Sequence, residues 1–305
     1  VTTLLQELSK KAADRWAAIL LGPGLLFVAC LVLAHHQRFG HALDLAYLRA
    51  YVGALATDKA NQEPAGLFVM AALVLLGAAI AGLLAASAGR FVERCRLPER
   101  PWWYFAALTG WRAWRWDRAD AALARAVTKA GQALARDRLL GVTTVRRFPA
   151  VERRQARRDR ISGARPVKPT WPAQRMTGAA DRVRRRYGVD LAEVWPHAWS
   201  LASGELRGDI QTVRDGFAAS ARLTAWAWGY AAIAVGTGWW PAALLAAVLL
   251  PVAGRRGREA VDALATLAES AVDLHVREVA ERLGVVCPDA FGPTTAAAVN
   301  TILRA

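Results

Sequence analysis

Residues 65–89 read AGLFVMAALVLLGAAIAGLLAASAG, an uninterrupted apolar stretch without one charged side chain. A helix of about 20 apolar residues covers the roughly 30 Å hydrocarbon core of a bilayer. The stretch therefore predicts a membrane-crossing helix, and Gly77, Ala78, Ala81, Gly82 and Ala85 predict a second helix packed closely on it.

Upstream, Trp16–Ala34 is a second apolar run, bounded by Arg15 and by His35-His36. Gly22-Pro23-Gly24 interrupts it, which predicts a kinked helix whose freed carbonyl is met by a neighbour. No signal-peptidase site follows this run, so it is expected to be retained. Between the two runs, Leu45, Leu48, Val52 and Leu55 recur at helical spacing and predict a short amphipathic helix on the outer surface. Downstream, Leu223–Ala253 is divided at Gly236-Thr237-Gly238 and reads as two short spans joined by a tight turn. Trp239–Ala253 is barely long enough to cross, so a re-entrant hairpin is the alternative.

Charge sets the expected orientation. The chain carries a formal net charge of +15, and residues 90–222 alone hold 28 Lys/Arg against 13 Asp/Glu, a surplus of the same size. Lys10, Lys11 and Arg15 precede the first run; Arg90, Arg94 and Arg96 follow the second; Arg255, Arg256 and Arg258 follow the last. Lysine and arginine near span ends stay cytoplasmic. Both termini are thus expected inside the cytoplasmic membrane. The expected fold is all-α, with two transmembrane hairpins (four spans) and cytoplasmic helical extensions that form a bundle. Its parts are a cytoplasmic N-terminus (1–15), a first hairpin (16–89) with an outer loop (35–64), a basic cytoplasmic helical region (90–222), a second short hairpin (223–253) and cytoplasmic C-terminal helices (254–305).

Within 90–222 the aromatic and basic residues interleave. Trp103, Ala107, Trp111 and Trp114 are placed on one helical face, and Arg112, Arg115 and Arg118 on another. Indoles favour the headgroup boundary and arginine reaches phosphates from there, which predicts an in-plane helix. Leu123, Val127, Ala130 and Leu134 continue at 4-3-4 spacing. Leu206, Ile210, Val213 and Phe217, and the set Val261, Leu264, Ala268, Val272, His275 and Val279, form two further stripes. Such stripes are expected to pack together. Arg146, Arg147, Arg153, Arg154, Arg157, Arg158 and Arg160 form one arginine cluster, and Arg182, Arg184, Arg185 and Arg186 a second. Pro166, Pro169 and Pro172 separate the two, so residues from about 141 to 180 are expected to form a mobile linker. Trp195 and Trp199, one turn apart on a helix opened by Pro196, read as an interfacial anchor.

Residues 175–199 read RMTGAADRVRRRYGVDLAEVWPHAW. The segment from Pro169 to Trp199 resembles uncharacterised bacterial multi-pass membrane proteins, in which a basic R-Y-G-x-D segment precedes a W-P-x-x-W pair and a final membrane hairpin. The resemblance implies the topology and no particular chemistry.

Catalytic groups are sparse. No phosphate-cradling glycine loop, nucleophile elbow or zinc motif is present. His35, His36, His41 and Asp44 lack a fixed ligand spacing, and no metal or cofactor is expected. Cys30, Cys95 and Cys287 have neither metal-like nor disulfide-framework spacing. The predicted spans hold no Asp, Glu, Lys, Arg or His, which argues against an ion-coupled carrier. The reading that follows is a non-enzymatic, membrane-anchored interaction protein. Its basic region would bind anionic phospholipids or a cytoplasmic protein partner through Trp103, Trp111, Arg112, Trp114, Arg115, Arg153, Arg154, Arg157, Arg158, Arg184, Arg185, Arg186, Trp195 and Trp199. Nucleic acid is the less favoured ligand, because the Trp/Arg stretch follows directly on a predicted span. The alternative is a pore-forming homo-oligomer or membrane-perturbing effector with a cytoplasmic sensing domain, motivated by the Gly-Pro-Gly break and the short last spans. A lipid-acting enzyme would have to use polar groups such as Asp190, Glu193 and His197.

Overall fold

A computed structural model describes residues 22–37, 40, 42, 44, 46–47, 49–50, 53, 64–98, 103–141, 147–287 and 291–304. Among these residues there are nine helices and no strand, so the chain is all-α. In chain order they are α1 (Gly22–Gln37), α2 (Pro64–Arg96), α3 (Trp103–Leu139), α4 (Pro149–Asp159), α5 (Trp171–Tyr187), α6 (Leu191–Leu201), α7 (Gly204–Thr237), α8 (Trp240–Arg282) and α9 (Pro293–Arg304). They form two compact units: residues 1–93 with 215–257, and residues 94–214 with 258–305.

The first unit is built with small residues inside and large apolar ones outside. Ala78, Ala227, Ala242 and Ala253 are fully buried, while Phe68, Leu73, Leu84, Leu244 and Val248 point outward. Helices α1 and α2 approach closely, and a Cβ placed on Gly24 would overlap the Ala78 carbonyl oxygen. A Cβ placed on Gly89 of α2 would lie 2.8 Å from the Arg222 side chain of α7 and 3.2 Å from its backbone, a looser approach. Cys30, Ala34, Tyr230, Ile233, Trp239 and Ala246 form a core that joins α1 to α7 and α8. The turn between α7 and α8 is as tight as the glycines predict. Gly238 adopts φ +72°, and its N–H closes on the Ala234 carbonyl at 2.9 Å. The Trp239 indole then donates to the Ala42 carbonyl at 3.2 Å.

Of the four expected spans, α2 alone among the described residues is long and apolar enough to cross a membrane, with a mean hydropathy of 2.7 in its most apolar window and only 11% of that window buried. Helix α1 is described over 16 residues, and its first turn is Gly22-Pro23-Gly24. A kink there would need residues 16–21, which lie outside the described residues, as do 1–15 and most of the expected helix at 41–55. The apolar parts of α7 and α8 are diluted by indoles, glycines and flanking arginines such as Arg222, Arg255 and Arg256.

The second unit has a conventional core. Val183, Val189, Val194, Val272, Val279 and Val299 are buried together, drawn from α5, α6, α8 and α9 and the turn before α6. Two expected features are corrected here. Residues 141–180 are not simply a linker, because α4 and α5 occupy much of that range. Pro149 and Pro172 sit in the first turns of these helices, where a missing N–H costs nothing. Thr170 caps α5, accepting from the Ala173 N–H while its hydroxyl donates to the Arg96 carbonyl. Helix α6 likewise does not open at Pro196. It starts at Leu191, capped by Asp190, and Pro196 lies inside it.

The stripes expected to pack do so unequally. Ile210 and Phe217 are buried, as are Val261, Ala268, Val272 and Val279. On α3, Leu123 is buried with Ala126, but Val127 and Leu134 are exposed.

Gly188 ends α5 in the left-handed region at φ +71°, and a Cβ there would lie 3.2 Å from the Ala296 side chain of α9. Its carbonyl accepts from the Asn300 amide at 2.9 Å. Gly188→Ala is expected to cost about 1–2 kcal/mol, the penalty of a Cβ in that conformation. Chemical denaturation of the purified chain, scored by the unfolding midpoint, checks it; a midpoint unchanged from wild type would contradict this account of the turn.

Candidate anion-binding groove

Helices α3 and α4 and the turn that follows α4 enclose an open groove of about 990 Å³ within the second unit. Trp111, Arg115, Arg118, Ala122 and Arg125 reach it from α3. Their spacing of three and four residues puts them on one helical face. Arg154, Arg157 and Arg160 reach it from α4 and its C-terminus. Arg112, Trp114, Trp171 and Arg258 complete the polar and aromatic wall. The lining thus contains eight arginines and three indoles, and no carboxylate.

The absence of acid from this lining is a consequence of how α3 is docked. Asp117 and Asp120 of α3 face the other way. Arg165 grips Asp117 through two bonds of 2.9 Å, and Arg158 donates to Asp120 at 3.2 Å. The hydrogen bond from Arg165 holds the Asp117 carboxyl below the usual carboxylate range. Arg158 is held correspondingly high by Asp159 and Asp120. On the same side the Trp116 indole donates to the Ser162 carbonyl at 2.9 Å. Asp117 and Asp120 are therefore spent on clamping α4 and the turn after it, through Arg158 and Arg165, and the arginines on the groove side are left facing one another.

Arg112 serves the frame and the site together. Its guanidinium donates to the carbonyls of Lys168 and Ile161 at 3.0 and 3.1 Å, which pins the segment between α4 and α5 to α3. Burial, and then the charge of Arg258, push its pKa below the ordinary arginine value. The remaining order comes from stacking. Arg115 lies 4.8 Å from the Trp111 ring centre, Arg118 lies 5.4 Å from that of Trp114, and Arg258 lies 5.8 Å from that of Trp171. An indole face attracts a guanidinium and restricts its rotamers while leaving its N–H groups free to donate. Among the described residues, none of Arg115, Arg118, Arg154, Arg157, Arg160 and Arg258 is paired with a carboxylate.

Of the residues expected to bind, Trp111, Arg112, Trp114, Arg115, Arg154 and Arg157 are brought together here. The expected division of indoles and arginines between two faces is corrected: residues four apart are neighbours, so Trp111 stacks with Arg115 and Trp114 with Arg118. The Trp103 side chain lies outside the described residues. Arg153 donates back to the Pro149 carbonyl, and Arg158 is occupied by Asp120 and Asp159. Arg184, Arg185 and Arg186 are on α5, away from the groove, and Arg186 pairs with Asp273. Trp195 packs against the core of the second unit, and Trp199 carries Arg207 at 5.8 Å. Trp195 is partly buried in doing so, and its ring lies 5.9 Å from that of Trp199. Trp171 and Arg258 joined the site without a sequence signal, because only the fold brings them to α3.

The candidate lipid-acting groups have other work. Asp190 caps α6, and Glu193 pairs with Arg304 at 3.0 Å. Among the described residues no three His, Cys, Asp or Glu side chains gather into a metal-sized cluster, and His41 lies outside those residues.

No protein-family model, curated protein or solved structure matches the chain.

Proposed function

We propose that the protein is a non-enzymatic membrane anchor whose basic cytoplasmic region binds anionic phospholipid headgroups. The observation that carries this reading is the groove of eight arginines and three indoles without a carboxylate. It lies in the part of the chain that begins a few residues beyond the apolar helix α2. Each arginine near an anionic surface contributes about 1 kcal/mol. Stacked indoles suit the boundary between headgroup and water.

The anchor in this proposal is the first unit, crossing the membrane four times through α1, α2 and the apolar halves of α7 and α8. Its outward Phe, Leu and Val side chains and inward Ala and Gly support that reading, since lipid solvates large apolar groups and small residues let helices approach. The concentration of positive charge in residues 90–222 supports a cytoplasmic second unit and cytoplasmic termini.

Lipid retention tests the binding. Purified in neutral detergent, the chain is expected to retain phosphatidylglycerol over phosphatidylcholine by native mass spectrometry. The double variant Arg115→Glu/Arg118→Glu should lose at least about tenfold of that retention. Equal retention of the two lipids, or an unaffected double variant with wild-type helicity, would remove the proposal. Topology has its own check. Cys287 is buried and a poor reporter, whereas Gly163 and Gly40 are exposed. A cysteine at 163 should label only from the cytoplasmic side, and one at 40 only from the opposite side.

A further inference from the structure

We infer that the groove selects ligands in which two or more phosphates are covalently linked, over ligands bearing a single phosphate. The inference rests on the groove being an anion site, and it names the ligand class for that site. Arg115, Arg118 and Arg125 line α3 over ten residues, which is about 15 Å of helix. Arg154, Arg157 and Arg160 line the facing element over six, about 9 Å. One phosphate presents its oxygens within a few ångströms, so it meets the arginines at one end of the groove and leaves the others crowded. A chain of phosphates meets arginines along the length of both rows.

Charge points the same way. Around a volume of about 990 Å³ there are eight guanidiniums and no acid to balance them. A mobile charge run would relax by spreading into water. Arg112, Arg115, Arg118 and Arg258 are instead held in place, by the carbonyl bonds of Arg112 and by stacking on Trp111, Trp114 and Trp171, and they share the groove lining with the exposed Arg154, Arg157 and Arg160. Pre-set cations with planar donor forks favour several phosphates at once, because the second phosphate binds as an intramolecular event. Such linkage strengthens binding by roughly 100-fold or more when the geometry allows both to engage.

The linked phosphates come either from a soluble oligophosphate or from a lipid headgroup with two phosphates. Isothermal titration of the full chain in neutral detergent separates these from the monophosphate case. Tripolyphosphate is expected to bind at least about 100-fold more tightly than orthophosphate at equal ionic strength. Arg118→Glu and Arg157→Glu should each abolish that preference, and Arg118→Lys should weaken it. Arg184→Glu, off the groove, should leave it intact. Parallel nanodiscs containing cardiolipin or phosphatidylglycerol at matched charge identify the source. Preference for cardiolipin with no response to tripolyphosphate assigns the headgroup, and the reverse assigns the soluble ligand. Equal affinity per phosphate in both comparisons overturns the inference while leaving the anion groove standing. No binding in any arm, together with loss of phosphatidylglycerol retention, removes the groove as an anion site altogether.

Discussion

Replacing Gly24 with alanine is expected to destabilise the first unit more than any other single added methyl group in it. The added Cβ would overlap the carbonyl oxygen of Ala78 and lie 2.9 Å from its carbonyl carbon. Both are backbone atoms of a helix, so no rotamer change relieves the clash and α1 must move off α2. Overpacking costs typically about 1–3 kcal/mol, and a clash with rigid backbone belongs at or above the top of that range. Three other glycines supply the comparison. Gly229→Ala meets the Phe27 ring at 2.9 Å, and a ring can tilt. Gly89→Ala meets the Arg222 side chain at 2.8 Å but its backbone only at 3.2 Å. Gly77→Ala meets a Val28 methyl at an ordinary 3.6 Å. The predicted order of destabilisation is Gly24 first, then Gly89 and Gly229, with Gly77 near neutral. Thermal unfolding of the four variants in one detergent measures it. A Gly24 variant as stable as the Gly77 variant would mean that α1 and α2 do not cross there.

Removal of the Glu269 carboxylate should have the largest effect in the second unit. Its side chain is only 8% exposed, yet it accepts from Arg175 at 2.9 Å and from Arg182 at 2.6 Å. Both arginines come from α5, so one carboxylate of α8 holds that helix by two charges. Arg175 also reaches the Thr266 hydroxyl and Asp262, one and two turns earlier on α8. Breaking a buried pair costs about 3–5 kcal/mol because the surviving charge is stranded. Here Arg182 is 67% exposed and Arg175 keeps Asp262, so Glu269→Ala is expected at about 2–3 kcal/mol. Arg182→Ala, which removes the well-hydrated partner, should cost less than about 1 kcal/mol. Urea unfolding of both variants decides the matter. If Arg182→Ala proved the more damaging, the buried carboxylate would not be what holds α5 on α8.

The stripes through Ile210 and Phe217 and through Val261 and Val279 are legible in the chain, because burial on a helix follows its period. The range 141–180 differs from its sequence pattern for a physical reason. Proline breaks a helix in its interior, but Pro149 and Pro172 occupy first turns, and Thr170 supplies the cap that starts the second helix. Spacing alone also misplaces the indoles. A stack between residues four apart depends on side-chain direction, which places Arg115 over Trp111.

The amino-acid sequence by itself determined the helical class, the apolar α2, the tight turn at Gly238 and the confinement of positive charge to residues 90–222. These depend on composition and on periods of a few residues, which the chain carries locally. Tertiary structure decided which arginines are clamped to Asp117 and Asp120 and which line the groove. It also brought Trp171 and Arg258 to α3 from far along the chain. A charge run has the same composition whether it is paired, solvated or pre-set to bind. Only the packing of α3 against α4 and the turn after it sorts the three.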